Sequence, residues 1–313
     1  MVEKISAEDT VLVVGAGPVG LLMASELARH GVPVRVIDKA PAASDKSKAL
    51  GVHARSLEML ENIGIVESFL AAGINIYGVS VYCEGKRIVH LGFDELKSPY
   101  PFVLMIPQSK TESILSEHLA HLGYQIERNV ELIGFSDEQE QVIATLRHAD
   151  GLIETMPTPW LIGCDGAHST VRHILGLPFA GAQYQEVFGL ADVKVDWTLP
   201  EDEMHTFLSE EGPLVFFPFG SGRYRVMAEA THDMDTENAP SLKDFQALVD
   251  RRCSAGATLS DPHWLTWFKF HCRSVSRLWC GRVFLAGDAA HIHSPVGGQG
   301  MNTGMHTKSL RLV

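Results

Sequence analysis

The sequence predicts an α/β fold in which a doubly wound parallel sheet is interleaved with a second, antiparallel sheet. Two observations lead to this prediction. Short apolar runs rich in β-branched residues precede a glycine turn and a helical pattern at residues 11–38, 160–175 and 282–304, as buried parallel strands do. Alternating patterns joined by tight turns occupy residues 76–106 and much of 180–280, which is typical of antiparallel strands.

The first of these stretches, VLVVGAGPVGLLMASELARHGVPVRVID at residues 11–38, is the most informative part of the chain. Its first four residues are too few for a buried helix, which favours a strand. The predicted order is strand, glycine turn, helix, strand and acid: Val11–Val14, 15–20, 21–30, 34–37 and Asp38.

Each glycine of this turn has a separate physical reason. Gly15 permits the tight turn, Gly17 lets main-chain N–H groups approach a pyrophosphate, and Gly20 lets helix and strand pack closely. The pyrophosphate then lies at a helix N-terminus, where free N–H donors and the helix dipole favour negative charge. Asp38 follows at about the 20-residue spacing of an acid that binds a ribose hydroxyl. The stretch predicts a dinucleotide site but does not identify the dinucleotide. The alternative is a glycine turn in an ordinary α/β unit that binds no ligand.

Composition and charge limit the possible functions. The 313 residues are enough for one large domain or two smaller ones. With 38 acidic and 26 basic residues the net charge is −12, so we expect no nucleic-acid partner. No apolar run reaches about 18 residues, so we predict no membrane span, and the first ten residues lack a signal-peptide pattern. Five scattered cysteines fit reduced thiols in the cytoplasm.

Two later strand ends also carry an acid next to a glycine. A strand over residues 160–163 leads to Asp165, and the helix that follows has Arg172 in its first turn. Another strand, from Arg282, leads to Gly287 and Asp288. Ligands of open α/β sheets bind at the carboxyl ends of strands, although an ordinary strand-turn-helix unit would give the same pattern.

The segment PVGGQGMNTG at 295–304 contains four glycines that would expose main-chain N–H groups at a helix start, which suits a flat polar ring or an anion. Nearby His291 and His293 could bind a metal with Asp288, but the acid has a better use on a ribityl chain. His118 and His121 lack a third ligand. We therefore predict no metal site.

Together these stretches resemble the FAD-dependent aromatic hydroxylases, the single-component flavoprotein monooxygenases that act on phenols and polyketides. The resemblance covers nearly the whole chain to Gly304. Five segments carry it, in this order: GAGPVG (15–20) with Asp38, ALGVHARSLEML (49–60), IPQSKTESILSEHL (106–119), CDGAHSTVR (164–172) and GDAAHIHSPVGGQGMNTG (287–304).

The resemblance implies a fold and a cofactor site. Residues 1–75, 107–179 and 281–313 would form a discontinuous FAD-binding domain of the Rossmann type, and 76–106 with 180–280 a β-sheet substrate domain. The glycine turn would bind the FAD pyrophosphate, and the segment near Asn302 the isoalloxazine. The implied cofactor contacts are Gly15, Gly17, Gly20, Asp38, Lys39, Arg55, Gln108, Asp165, Arg172, Gly287, Asp288, Pro295, Gly298, Met301 and Asn302, with Arg172 a plausible contact for a phosphate of NAD(P)H.

The resemblance further implies that NAD(P)H reduces FAD, which then reacts with O2 to hydroxylate a small aromatic substrate. No catalytic base can be named, because Leu50 stands where some relatives that resemble phenol hydroxylase carry an aspartate. Relatives typically continue beyond the segment that ends this chain, MHTKSLRLV, so we expect exposed apolar surface near the flavin, which a homodimer could cover. The alternatives are a truncated flavin-binding protein with little activity and a plain NAD-dependent dehydrogenase.

Overall fold

The computed structural model describes residues 9–44, 49–293 and 297–306. These residues form 20 strands and seven α-helices. The strands are β1 (Val11–Val14), β2 (Val34–Asp38), β3 (Gly51–Val52), β4 (Ile74–Ile76), β5 (Gly78–Cys83), β6 (Lys86–Gly92), β7 (Val103–Met105), β8 (Ile126–Arg128), β9 (Glu131–Asp137), β10 (Val142–Arg147), β11 (Ile153–Thr158), β12 (Leu161–Gly163), β13 (Ala180–Asp196), β14 (Glu203–Leu208), β15 (Leu214–Gly220), β16 (Arg223–Glu229), β17 (Thr258–Ser274), β18 (Trp279–Cys280), β19 (Val283–Leu285) and β20 (His291–Ile292). The helices are α1 (Pro18–Arg29), α2 (Ala54–Asn62), α3 (Val66–Leu70), α4 (Gln108–His121), α5 (Thr170–Ile174), α6 (Leu242–Arg252) and α7 (Gly300–His306).

A six-stranded sheet in the order β18-β19-β12-β1-β2-β8 forms the predicted parallel sheet. Its strands from β19 to β8 are parallel, and β18 is antiparallel to β19. The chain passes from β1 to β2 on one side, whereas β12 and β19 lie on the other side of β1. The strand order therefore reverses beside β1, and in open α/β sheets this is the position where ligands bind.

The two faces of this sheet are covered by different layers. Val11 and Val13 face a core shared with α1, α2 and α4, whereas Leu12 and Val14 face a core shared with the antiparallel sheet β9-β10-β11. Alternate residues of one strand point to opposite faces. Because both faces are buried, the strand reads as the continuous apolar run seen in the sequence.

A mixed eight-stranded sheet in the order β20-β17-β13-β16-β15-β14-β5-β6 forms the second layer system. It is antiparallel except for the parallel pair β14–β5. Helix α6 packs on one face, where Phe216 is fully buried. On the other face Phe217 and Phe219 pack against the small sheet β3-β7-β4. All three phenylalanines therefore pack against apolar cores.

Helix starts account for the main difference between the predicted and observed elements. Helix α1 begins at Pro18 rather than at Leu21, because proline fits the first helical position, where an N–H donor is not needed. Helix α4 begins at Gln108, directly after Pro107. Ser241 ends the loop before α6 and forms a capping box with Asp244, which fixes the start of that helix.

Among the described residues, no helix is long and apolar enough to cross a membrane. All five cysteines are free thiols: Cys83, Cys164, Cys253, Cys272 and Cys280.

Arg35 links three strands through one guanidinium. It lies on β2 and donates to Glu127 of β8 over 2.7 and 2.8 Å, and to Glu154 of β11 over 2.5 and 2.9 Å. His148 Nε2 lies 2.7 Å from the same Glu154 carboxylate. The hydrogen bonds from Arg35, and then those from His148, hold the pKa of Glu154 at about 2. The cluster therefore connects the parallel sheet to β9-β10-β11.

The pKa of Glu154 predicts an acid-dependent loss of stability. Because the folded-state pKa lies below the unfolded value, this stabilisation is present above pH 4.5 and is lost as the pH falls towards 2. We expect a loss of about 1 kcal/mol once solvent screening of this partly exposed pair is allowed for. The Arg35→Met variant should be less stable at pH 7 and should lose less stability between pH 5 and pH 3.

Chemical denaturation at each pH measures this effect. The matched control is Arg147→Met, which breaks the more exposed pair with Glu131 and should keep the wild-type pH dependence. Equal pH slopes for Arg35→Met and wild type would contradict the assignment.

Candidate cofactor-binding site

A pocket of about 220 Å³ lies at the carboxyl ends of β1, β2 and β12, where the strand order reverses. Five of the predicted cofactor contacts, which are far apart in the sequence, line this one pocket. The lining residues are Val14, Gly15, Gly17, Asp38, Lys39, Val130, Glu131, Leu132, Cys164, Asp165, Gly166 and Thr170.

The glycine turn between β1 and α1 shows why side chains are excluded there. Gly15 has a φ of +104°, and a Cβ atom on it would collide with the carbonyl oxygen of Cys164. A Cβ atom on Gly20 would collide with the carbonyl oxygen of Gly15, which is the close packing predicted for this glycine. A Cβ atom on Gly17 would meet no atom within 4 Å. The fold therefore requires Gly15 and Gly20, whereas Gly17 faces open space.

Asp38 is held at the end of β2 by main-chain donors. Its Oδ2 accepts the Ala16 N–H at 2.7 Å, and its Oδ1 accepts the Ala40 N–H at 2.8 Å. Arg128 Nη1 lies 3.5 Å from Oδ2. These contacts fix the carboxylate beside the glycine turn while it still lines the pocket.

Asp165 presents a buried acceptor in the same pocket. Its Oδ2 accepts the N–H groups of Thr170 at 2.6 Å and Val171 at 3.2 Å. Its Oδ1 is buried and has no hydrogen-bond partner within the described part of the chain. An unpaired buried carboxylate oxygen is costly, and a hydroxyl or water held by a bound ligand would satisfy it. Together with the open main chain at Gly17, this fits a dinucleotide such as FAD.

The buried side chain of Arg172 is used inside the fold. Its Nη1 donates to the carbonyl oxygen of Ala289 at 2.9 Å, and its Nη2 to that of Ala167 at 2.8 Å. The guanidinium also lies 3.9 Å from the ring centre of Phe179. Arg172 therefore ties the loop after β12 to the turn that carries Asp288. Its predicted contact with a cofactor phosphate stays a prediction.

The turn at Gly287–Ala289 and helix α7 lie against the start of α1. Cβ atoms on Gly287 or Gly304 would come within 2.9 Å of the Val19 side chain, so both glycines are needed for this packing. Asp288 is exposed on the turn and does not line the pocket described above. Met301 is half-buried and packs against the core that includes α1.

Asn302 uses its whole carboxamide to join α7 to the segment around β3 and α2. Its Oδ1 accepts from His53 N–H at 2.9 Å and from Ser56 Oγ at 2.7 Å. Its Nδ2 donates to the carbonyl oxygens of Gly51 and Gly298, each at 2.9 Å. The side chain is thus a bridge within the protein, which leaves the main chain of this segment for any contact with a flavin ring.

His53 was not selected from the sequence, although it lies within the segment ALGVHARSLEML. Its ring hydrogen-bonds to the main chain of Gly297 and Gly298, while burial lowers its pKa. Neutral His53 therefore supports the glycine turn before α7, which Asn302 also contacts. A histidine just before an amphipathic helix gives no sequence signal for this role, because its partners lie more than 200 residues away.

Two further predicted contacts, Arg55 and Gln108, do not line the pocket. Arg55 is 72% exposed at its side chain and pairs with Glu58 at 2.7 Å. Gln108 Oε1 accepts from the Ala49 N–H at 3.1 Å. Pro295 lies outside the described residues. No group of three His, Cys, Asp or Glu side chains among the described residues is placed to hold a metal ion.

Residues 8–309 match the family described as FAD binding domain. The chain is 38% identical over 298 residues to 6-methylpretetramide 4-monooxygenase of Streptomyces rimosus, covering 94% of this chain and 53% of that protein. It is 36% identical over 307 residues to pentachlorophenol 4-monooxygenase of Sphingobium chlorophenolicum, covering 96% of this chain and 56% of that protein. The chain therefore spans about half the length of these curated relatives.

Solved structures show the same fold. The crystal structure of p-nitrophenol 4-monooxygenase PnpA from Pseudomonas putida DLL-E4 has a TM-score of 0.84 at 25% identity, covering 96% of this chain and 78% of that one. OxyS anhydrotetracycline hydroxylase from Streptomyces rimosus has a TM-score of 0.77 at 30% identity, covering 96% of this chain and 60% of that one.

The glycine geometry predicts that two similar substitutions have different effects. Gly17→Ala should fold with near wild-type thermal stability, because its Cβ meets open space, but should weaken FAD binding roughly tenfold or more by crowding the pyrophosphate. Gly15→Ala should lower stability by about 1–3 kcal/mol, because its φ is left-handed and its Cβ meets main chain. Thermal unfolding and fluorescence titration with FAD measure the two effects.

Gly134→Ala on β9 is the matched control, since its Cβ would meet only Thr145 at 4.0 Å and it lies outside the pocket. An equal FAD affinity for Gly17→Ala and wild type would show that the pyrophosphate does not lie on this turn.

Proposed function

Because the chain belongs to the FAD-binding family of flavoprotein aromatic hydroxylases, we propose that it is an FAD-dependent monooxygenase. It hydroxylates a phenolic or polyketide-type aromatic substrate with NAD(P)H and O2. The observation that carries this proposal is the single pocket formed by the glycine turn, Asp38 and Asp165 at the strand-order reversal.

Several groups of this pocket are suited to hold FAD. The first N–H groups of α1 lack partners within the helix and, with the helix dipole, would bind the pyrophosphate at Gly17. Asp38 would accept from a ribose hydroxyl, since the two N–H groups that it already binds leave acceptor capacity on its oxygens. The unpaired Oδ1 of Asp165 would accept from a cofactor hydroxyl or from water between it and the phosphates.

Bound FAD would supply the electron-transfer and oxygen chemistry that amino-acid side chains lack. The protein positions the ring and the substrate and limits the access of water. We propose that the segment from Gly298 to Asn302 holds the ring side of the cofactor. This segment is fixed by the Asn302 bridge and by His53, so its main-chain groups are placed before the cofactor binds.

An aromatic substrate suits the face of the eight-stranded sheet opposite α6. That face carries the half-buried side chains of Met204, Phe217 and Phe219, and apolar and aromatic residues are the usual lining of sites for flat apolar ligands. We propose that residues 76–106 and 180–280 form the substrate domain and that the rest forms the FAD domain, because these two ranges contain every strand of the eight-stranded sheet except β20.

The substrate class is also supported by the relatives. Their names include monooxygenases of pentachlorophenol, of 6-methylpretetramide and of anhydrotetracycline. These substrates range from one ring to several fused rings, so both phenols and polycyclic polyketides are candidates. The five free thiols support a cytoplasmic location, and a homodimer could cover exposed apolar side chains.

Activity measurements test this proposal. Purified protein with FAD should oxidise NADH or NADPH faster when a phenolic or polycyclic substrate is present, and should form a product heavier by one oxygen atom. Asp38→Ala should weaken FAD binding about tenfold or more, whereas Asp150→Ala, at an exposed turn that does not line the pocket, should not. If FAD binds and no substrate in a phenol and polyketide panel is hydroxylated, the monooxygenase proposal is wrong.

A further inference from the structure

Glu112 is a buried carboxylate next to the candidate cofactor site, and it is not one of the predicted cofactor contacts. It lies on α4 with only 5% of its surface exposed. Burial raises its pKa, because an apolar surrounding disfavours the charged form. Buried acids are costly unless their oxygens accept hydrogen bonds, so the partners of Glu112 indicate what it does.

The first partner is Gln108, one helical turn earlier. Gln108 Nε2 donates to Glu112 Oε1 at 2.9 Å. The second partner is the main chain of Ser44, which also hydrogen-bonds to the carboxylate. Arg128 and Asp38, whose side chains are 3.5 Å apart, act on it through their charges. Glu112 therefore links α4 to the residues that hold the end of β2.

The contact with Gln108 determines which way its carboxamide faces. Gln108 Oε1 accepts the Ala49 N–H at 3.1 Å, and the Gln108 main-chain N–H donates to the Ala49 carbonyl at 3.2 Å. If the carboxamide were reversed, its NH2 group would face the Ala49 N–H and its oxygen would face the Glu112 carboxylate. Both contacts would then be unfavourable. Glu112 and Ala49 thus select one of two orientations that have the same shape.

The orientation of Gln108 also affects the part of the candidate site near Gly298. Ala49 leads directly into Leu50, whose carbonyl accepts the Ile106 N–H at 2.9 Å, and then into β3. Gly51 of β3 accepts from the Asn302 bridge that holds α7. A change in the Gln108 orientation would therefore disturb the segment that supports the glycine turn at Gly298.

We propose that Glu112 is a positioning residue of the cofactor site, which fixes the carboxamide of Gln108 and, through it, the main chain at Ala49. This inference rests on the proposed function, because the property that it affects is FAD binding. Glu112 does not line the pocket itself, so we assign its effect on FAD binding to Gln108 and the chain that Gln108 holds.

Substitutions at Glu112 separate this role from simple packing. Glu112→Gln keeps an acceptor for Gln108 and should change the FAD dissociation constant less than twofold. Glu112→Met keeps the length and helix preference but removes the acceptor, and should raise the dissociation constant roughly fivefold to tenfold, the size expected for one hydrogen bond. If the methionine variant does not fold, Glu112→Ala serves in its place. Quenching of FAD fluorescence measures each constant.

A double-mutant cycle supplies the decisive readout. If Glu112 acts through Gln108, then Glu112→Met should have no further effect on FAD affinity in a Gln108→Ala background. Additive effects of the two substitutions would overturn the proposal, as would a wild-type affinity for Glu112→Met. The matched control is Glu117→Met, an exposed position of the same helix that accepts from Ser113 Oγ. A wild-type chain that binds no FAD would instead reject the proposed function.

Discussion

The approach of two main-chain segments, the turn after β1 and the loop after β12, is the constraint on which the rest of the structure depends. Gly15 packs so closely against Cys164 that no side chain fits between them, and Gly20 packs equally closely against Gly15. This contact brings the N-terminus of α1 beside Asp165, in a loop that follows about 150 residues later. Without it, the helix N-terminus, Asp38 and Asp165 would not share one pocket.

A second set of contacts joins the loops of this pocket to the turn at Asp288 and joins helix α7 to β3. Arg172 joins the Asp165 loop to the turn at Asp288, and Asn302 joins α7 to β3. In both cases a buried polar side chain satisfies main-chain carbonyls from segments that are distant in sequence. Such networks fix geometry because an unpaired member would be costly. They explain how several loops can hold one extended cofactor in a defined shape.

Much of this could be predicted from the sequence, because its signals are local. The apolar run Val11–Val14 and the glycine spacing in 15–20 predicted a buried strand and a close turn, and the structure has both. The roles of His53 and Glu112 could not be predicted in this way. Each depends on partners outside its own segment, and nothing in the residue type or local pattern distinguishes them from their neighbours.

Electron density for FAD in crystals grown with the cofactor would test most directly whether these loops form one site. We expect one FAD per chain, with its pyrophosphate at Gly17, its ribose hydroxyls beside Asp38 and its ring towards Gly298. FAD bound elsewhere, or a turn at Gly17 that stays empty at saturating FAD, would contradict this expectation.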